Sequence, residues 1–129
     1  MNILQAVASV LGQYASFEGR ATRSEYWWWV VFSVAVNWIT GLIDVVMFGP
    51  FSLLVYGELR MFTPISTLVG LALIIPSLAV GARRFHDMDR SGWWLLIGFS
   101  GIGAVVIFFW FMMKGTDGPN RFGPDPLSR

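Results

Sequence analysis

Three stretches of this chain stay apolar for longer than the core of a soluble domain requires. Trp93 to Met113 reads WWLLIGFSGIGAVVIFFWFMM and holds no charged residue. Trp27 to Phe48 reads WWWVVFSVAVNWITGLIDVVMF, with Asn37 near its middle and Asp44 near its far end. Ile65 to Ala82 is slightly short, and extension back to Met61 gives it enough length. Crossing about 30 Å of hydrocarbon takes roughly 20 helical residues at about 1.5 Å each. The pattern therefore predicts an all-α integral membrane protein. Three transmembrane helices are expected, over about residues 26–48, 62–82 and 93–113, within a single domain covering 1–129.

Composition points the same way. Hydrophobic residues make up 55% of the chain and charged residues 13%, with a mean hydropathy of +0.60; soluble domains carry about 25% charged residues. A formal net charge of +1 gives no basic face for neutralising phosphates along a nucleic acid, so no nucleic-acid partner is expected. The chain has no cysteine, which excludes disulfides, thiolate metal sites and a cysteine nucleophile.

The segments between the apolar runs set their ends. Residues 1–14, MNILQAVASVLGQY, have a helical pattern too short to span, with Asn2, Gln5, Ser9, Gly12 and Gln13 on one narrow stripe. This predicts an amphipathic interfacial N-terminal helix. It lacks the positive start and longer apolar core of a signal peptide, so it is expected to be retained. Thr22 and Glu25 have capping-box spacing at the start of the first span. Tyr26 and Trp27 to Trp29 then suit headgroup depth. Residues 49–64 read as a loop, Pro64 fits a first helical turn, and Pro76 should kink its helix near Ala72. Residues 114–129, KGTDGPNRFGPDPLSR, form a polar tail rich in glycine and proline.

The densest polar stretch is RRFHDMDRSGWW at 83–94, five formal charges within eight residues beside the single histidine. His86-Asp87 hints at a metal pair, but hydrolytic metal sites need several converging ligands. Asp87-Met-Asp89-Arg-Ser91-Gly92 imitates a calcium loop, yet its bidentate glutamate position is Gly98. No catalytic set, metal set or cofactor motif emerges, and no enzyme is expected. An ion-pair turn fits better. Arg83, Asp87 and Arg90 recur at helical spacing, and Glu18, Arg20, Arg23 and Glu25 precede the first span on the same side of the membrane. The mixed signs predict a charge network among Glu18, Arg20, Arg23, Glu25, Arg83, Arg84, His86, Asp87 and Arg90. The alternative for the same residues is contact with an anion or anionic lipid, through arginine forks and neighbouring tryptophans.

Within the spans, Asp44 is close enough to Phe48 to reach water, and Ser33, Asn37 and Gly41, like Ser66 and Gly70, form small or polar stripes suited to helix packing. A polar path, as in a transporter or channel component, is the remoter reading. Orientation stays open: Arg20, Arg23, Arg83, Arg84 and Arg90 on one side face Arg60, Lys114, Arg121 and Arg129 on the other. In a three-span chain the tail lies across the membrane from residues 83–90. A re-entrant hairpin broken at glycines 98, 101 and 103 is the alternative, and it would bring all polar motifs to one side.

Three stretches carry a resemblance: FEGRATRSEYWWW, RRFHDMDRSGWW and GTDGPNRFGPDP. In this order and spacing the chain, from about Phe17 to Pro126, resembles a family of small bacterial inner-membrane proteins of the YhaH type, catalogued as a domain of unknown function. Thr22 stands where an additional arginine is usual, and Asp89 where glycine is common. The resemblance implies a multi-pass protein of the bacterial inner (plasma) membrane and supplies no activity, substrate or cofactor. The expected role is structural or accessory, with the lipid bilayer and either further copies of the chain or a larger membrane protein as partners.

Overall fold

The computed structural model describes residues 1–58 and 62–128. Arg60 and Arg129, used in the charge comparison, and Met61, used to lengthen the second run, lie outside them. The regular elements are helical: α1 (Ile3–Gly12), α2 (Arg23–Tyr56), α3 (Pro64–Asp87), a 3₁₀ segment (Gly92–Phe99) and α4 (Gly101–Met112). By length and composition, α2 and α3 are the two helices among the described residues able to cross a membrane. The chain divides into two compact units, Val31–Ile74 and a second made of Met1–Val30 with everything from Ile75 onward.

In the Val31–Ile74 unit, the loop expected over 49–64 is shorter than read. Helix α2 runs through Gly49 and Pro50 to Tyr56. A proline removes one helical N–H, but FSLLVY, which follows, is apolar apart from Ser52 and holds no glycine or proline to stop the helix. The Ser52 hydroxyl donates to the Gly49 carbonyl at 2.8 Å. Asp44 also departs from expectation. It is fully buried, and its carboxylate accepts from the backbone N–H groups of Ile65 (3.0 Å) and Ser66 (2.8 Å). These are first-turn donors of α3 with no partner inside their own helix, so Asp44 serves as a cap from a neighbouring helix rather than reaching for water. Val34, Trp38, Leu42 and Val46 point outward, as a lipid-facing surface requires.

In the other unit, α1 begins with a capping box between Asn2 and Gln5. Ala6 and Val10 are fully buried, while Leu4 and Leu11 remain exposed. Part of the polar stripe therefore turns inward, through Ser9. Helix α2 opens with Thr22 Oγ1 accepting from the Glu25 N–H at 3.1 Å, one half of the expected box. The Glu25 carboxylate is engaged elsewhere. Helix α3, whose start at Pro64 belongs to the Val31–Ile74 unit, passes Pro76 without ending. Phe85, Ile107 and Phe111 form a small core, surrounded by Tyr26, Trp27, Met88, Leu95, Ile97 and Trp110.

The continuous helix expected over 93–113 does not form. The run breaks at Ser100, whose backbone is extended (φ −87°, ψ 143°). Its hydroxyl accepts from the Gly103 N–H at 3.1 Å and donates to the Ile97 carbonyl at 2.8 Å. Gly103 is required here, because a Cβ would collide with the Ile97 carbonyl. Helix α4 packs back on the 3₁₀ segment, and its 12 residues extend about 18 Å, well short of a bilayer core. The tail then reaches the end of α3: the Thr116 N–H donates to the Asp87 carbonyl at 2.7 Å, and Asn120 Nδ2 to the His86 carbonyl at 2.9 Å. All three polar motifs meet around the end of α3.

Candidate functional site

The meeting point is built around the last residue of α3. Asp87 Oδ1 accepts from Arg20 Nη2 at 3.0 Å and Nε at 3.1 Å, and Oδ2 from Arg84 Nη1 at 2.6 Å. The three side chains are at most 1% exposed. Arg20 then reaches on to the tail, donating to the carbonyls of Thr116 (2.6 Å) and Gly118 (2.7 Å). Arg84 donates to the carbonyls of Phe111 (3.3 Å) and Met113 at the end of α4. One carboxylate and two guanidiniums thus tie the segment before α2, the end of α3, the end of α4 and the tail. Gly115 makes the closeness possible, since a Cβ there would run into the Asp87 carboxylate.

A second pair lies beside the first. Arg83 Nη1 donates to Glu25 Oε1 at 2.9 Å, with both side chains buried, and Ser9 Oγ of α1 donates to the same oxygen at 2.9 Å. The Arg83 carbonyl accepts from the Ala21 N–H at 3.0 Å. Nε and Nη2 of Arg83 are buried with no hydrogen-bond acceptor among the described residues. Adjacent arginines on a helix diverge by about 100°, which is why Arg83 and Arg84 serve different carboxylates. The helical spacing of Arg83 and Asp87 suggests one shared face, yet Asp87 takes Arg84 and Arg20 instead.

The remaining residues of the expected network stand apart from these pairs. His86 Nδ1 donates to the Gly19 carbonyl at 2.9 Å, and its ring stacks on Phe122 at 4.0 Å. The guanidinium of Arg90 lies 3.9 Å over the Trp110 ring, a cation–π contact. Arg23 is exposed and donates to the Met112 carbonyl at 3.0 Å. Glu18 is exposed. Sequence reasoning brought the tail to the other motifs only in its hairpin alternative, and it missed Ser9 and the tail's backbone carbonyls as partners. Backbone carbonyls do most of the tail's work, and every residue type offers one; the only trace in the sequence is the run of glycines and turn formers in GTDGPNRFGPDP. Asp125 shapes that stretch by accepting from the N–H groups of Gly118 and Leu127.

Chemically this is an arrangement for holding. The buried carboxylates are occupied by guanidinium groups, and among the described residues no three His, Asp or Glu side chains are placed to bind a metal ion. Burying such charges costs several kcal/mol each unless the partners are well placed. The extra guanidinium in the set of three arginines and two carboxylates is met by backbone carbonyls.

One family match takes in nearly all of the three motifs. The family described as a protein of unknown function, DUF805, matches residues 14–124. The inner membrane protein YhaH of Escherichia coli K12 is 37% identical over 118 residues, covering 91% of this chain and 92% of that protein. The inner membrane protein YhaI of the same organism is 38% identical over 125 residues, covering 95% and 96%. The uncharacterized protein YiiR, also from Escherichia coli K12, is 30% identical over 101 residues, covering 78% of this chain and 56% of that protein. No solved structure matches. With the family match running from just after α1 into the tail, and with inner-membrane relatives aligned over nearly their full length, the chain belongs to the DUF805 family of unknown function.

Proposed function

We propose that this protein is a non-enzymatic structural or accessory component of the bacterial inner membrane. It crosses the membrane twice, through α2 and α3, and gathers its three polar motifs on one side. The observation that carries the reading is the fate of the charged residues. Arg20, Arg83, Arg84, Glu25 and Asp87 are buried against one another and hold elements together instead of facing a substrate. The 3₁₀ segment and α4 re-enter from the side of this knot, and α1 lies along the interface with Leu4 and Leu11 toward the lipid. Asn37 faces Gly70 of α3, and the outward face of α2, with Val34, Trp38, Leu42 and Val46, is available to a helix of a second copy or of a larger membrane protein.

Topology is tested by labelling, because a chain without cysteine is a clean background. Single cysteines at Glu18, Ser91 and Ser128 are expected to react from one side of the membrane, and a cysteine at Glu58 from the other. Reaction of position 128 from the side of position 58 would overturn the two-crossing arrangement. A photocrosslinker at Trp38 is expected to capture a membrane-protein helix in native membranes, and adducts with lipid alone would refute the accessory role.

A further inference from the structure

We infer that the groove where the start of α2 meets the end of α4 binds one anionic phospholipid, its phosphate between Arg23 and Lys114 and an acyl chain along Trp27, Phe108 and Met112. The groove has a volume of about 620 Å³, and these residues line it together with the Ser24 hydroxyl. Its cations differ from the rest. Arg20 and Arg84 are held by Asp87 and Arg83 by Glu25 in buried pairs, Arg90 rests on Trp110, and Arg121 lies over the Phe122 ring and donates to the Asp89 carbonyl. Arg23 has no carboxylate partner among the described residues, and its bond to the Met112 carbonyl fixes the guanidinium at the rim. Lys114 is paired with Asp117 at 2.8 Å, but both side chains are about 60% exposed. An exposed pair of this kind is weak and yields readily to a phosphate.

Depth distinguishes a lipid from a free anion. Arg23 lies just before the apolar run that starts at Trp27, and Lys114 directly follows the run that ends at Met113. Bonds from Trp27 Nε1 to the Phe111 carbonyl (3.1 Å) and from Arg23 to the Met112 carbonyl (3.0 Å) keep the two ends level. The cations therefore share one height, where phosphates lie, and the aromatic wall continues into hydrocarbon. Trp27 and Phe108 meet edge to face at 5.3 Å and form that wall. An arginine fork matches phosphate oxygens, whereas the ammonium of a zwitterionic headgroup would be repelled by both cations.

The inference rests on the membrane placement proposed above, and its test reads a different quantity. Native mass spectrometry of the full chain, exchanged from micelles containing phosphatidylglycerol or phosphatidylcholine, reports which lipid stays bound. Selective retention of phosphatidylglycerol is expected. Arg23→Gln and Lys114→Gln should each reduce it about fivefold, the effect of one basic residue near an anionic surface, and Arg23→Lys should largely preserve it. Phe108→Ser should weaken retention through the chain-binding wall. Equal retention of the two lipids, or unchanged phosphatidylglycerol retention in the double glutamine variant, would overturn the site. Displacement of the lipid by inorganic phosphate alone would do the same. If Arg23→Gln also lowers thermal stability, the exposed Lys114→Gln variant decides alone. The cysteine-labelling pattern is independent of every one of these outcomes.

Discussion

At the scale of single residues, Asp87 has the largest leverage. Replacing it by asparagine keeps the shape but leaves Arg20 and Arg84 buried without their carboxylate. Removing one partner of a buried pair costs about 3–5 kcal/mol, so thermal unfolding of the detergent-solubilised Asp87→Asn protein should occur at a clearly lower temperature. Asp117→Asn, at an exposed pair, should change stability by less than about 1 kcal/mol. Asp89 gives a subtler case. Its backbone is left-handed (φ 55°), a conformation that glycine adopts freely and most residues resist. The exposed pair with Arg121, at 3.3 Å, contributes little in return. Asp89→Gly should therefore be neutral or stabilising by up to about 1 kcal/mol, and Asp89→Val destabilising by about 1–2 kcal/mol, in the same melting assay.

At the scale of elements, the tie between α2 and α3 near their polar ends is the Glu25–Arg83 pair. Glu25→Arg and Arg83→Glu should each destabilise by roughly 3–5 kcal/mol, and the double exchange should recover part of that in a melting cycle. Strictly additive losses would mean that the two residues act separately. Much of this level was legible beforehand. Apolar length and Pro64 gave α3, Thr22 gave the start of α2, and mixed charges on a shared side pointed to pairing between residues near 20 and residues near 83. The end of α2 was not legible, because FSLLVY after Gly49-Pro50 suits a helix as well as a loop. Nor was the break at Ser100. Trp93 to Met113 is uncharged throughout, and apolar periodicity does not separate one long helix from two short ones. What decides is backbone crowding at Gly103 and acceptance of arginine N–H groups by carbonyls at 116 and 118. For Asp87, helical spacing pointed to Arg83, whereas a partner 67 residues away, Arg20, takes one oxygen.

At the scale of the whole molecule, the charged knot should behave unlike a surface network. Exposed pairs weaken as the Debye length falls from about 10 Å at 0.1 M salt to about 3 Å at 1 M, but buried pairs are screened much less. The melting temperature of the solubilised protein should therefore change little over that range. A steep fall with added salt would show that water and ions reach the pairs. Removing residues 115–129 should have a larger effect, because Arg20 then loses its acceptors at Thr116 and Gly118. The shortened chain should still enter the membrane, with a markedly lower steady-state level by immunoblot.

The reach of Arg20 also sets a timetable for biosynthesis. Its acceptor at Gly118 lies 98 residues downstream, and at about 5–20 residues per second that carbonyl is made roughly 5–20 s later. During the delay the nascent chain carries unsatisfied guanidinium groups next to segments already entering the bilayer. The knot can close only when the 116–118 stretch has cleared the ribosome exit. Until then an insertase or a chaperone has the opportunity to hold these charges, and a membrane protease the opportunity to recognise a chain that never closes.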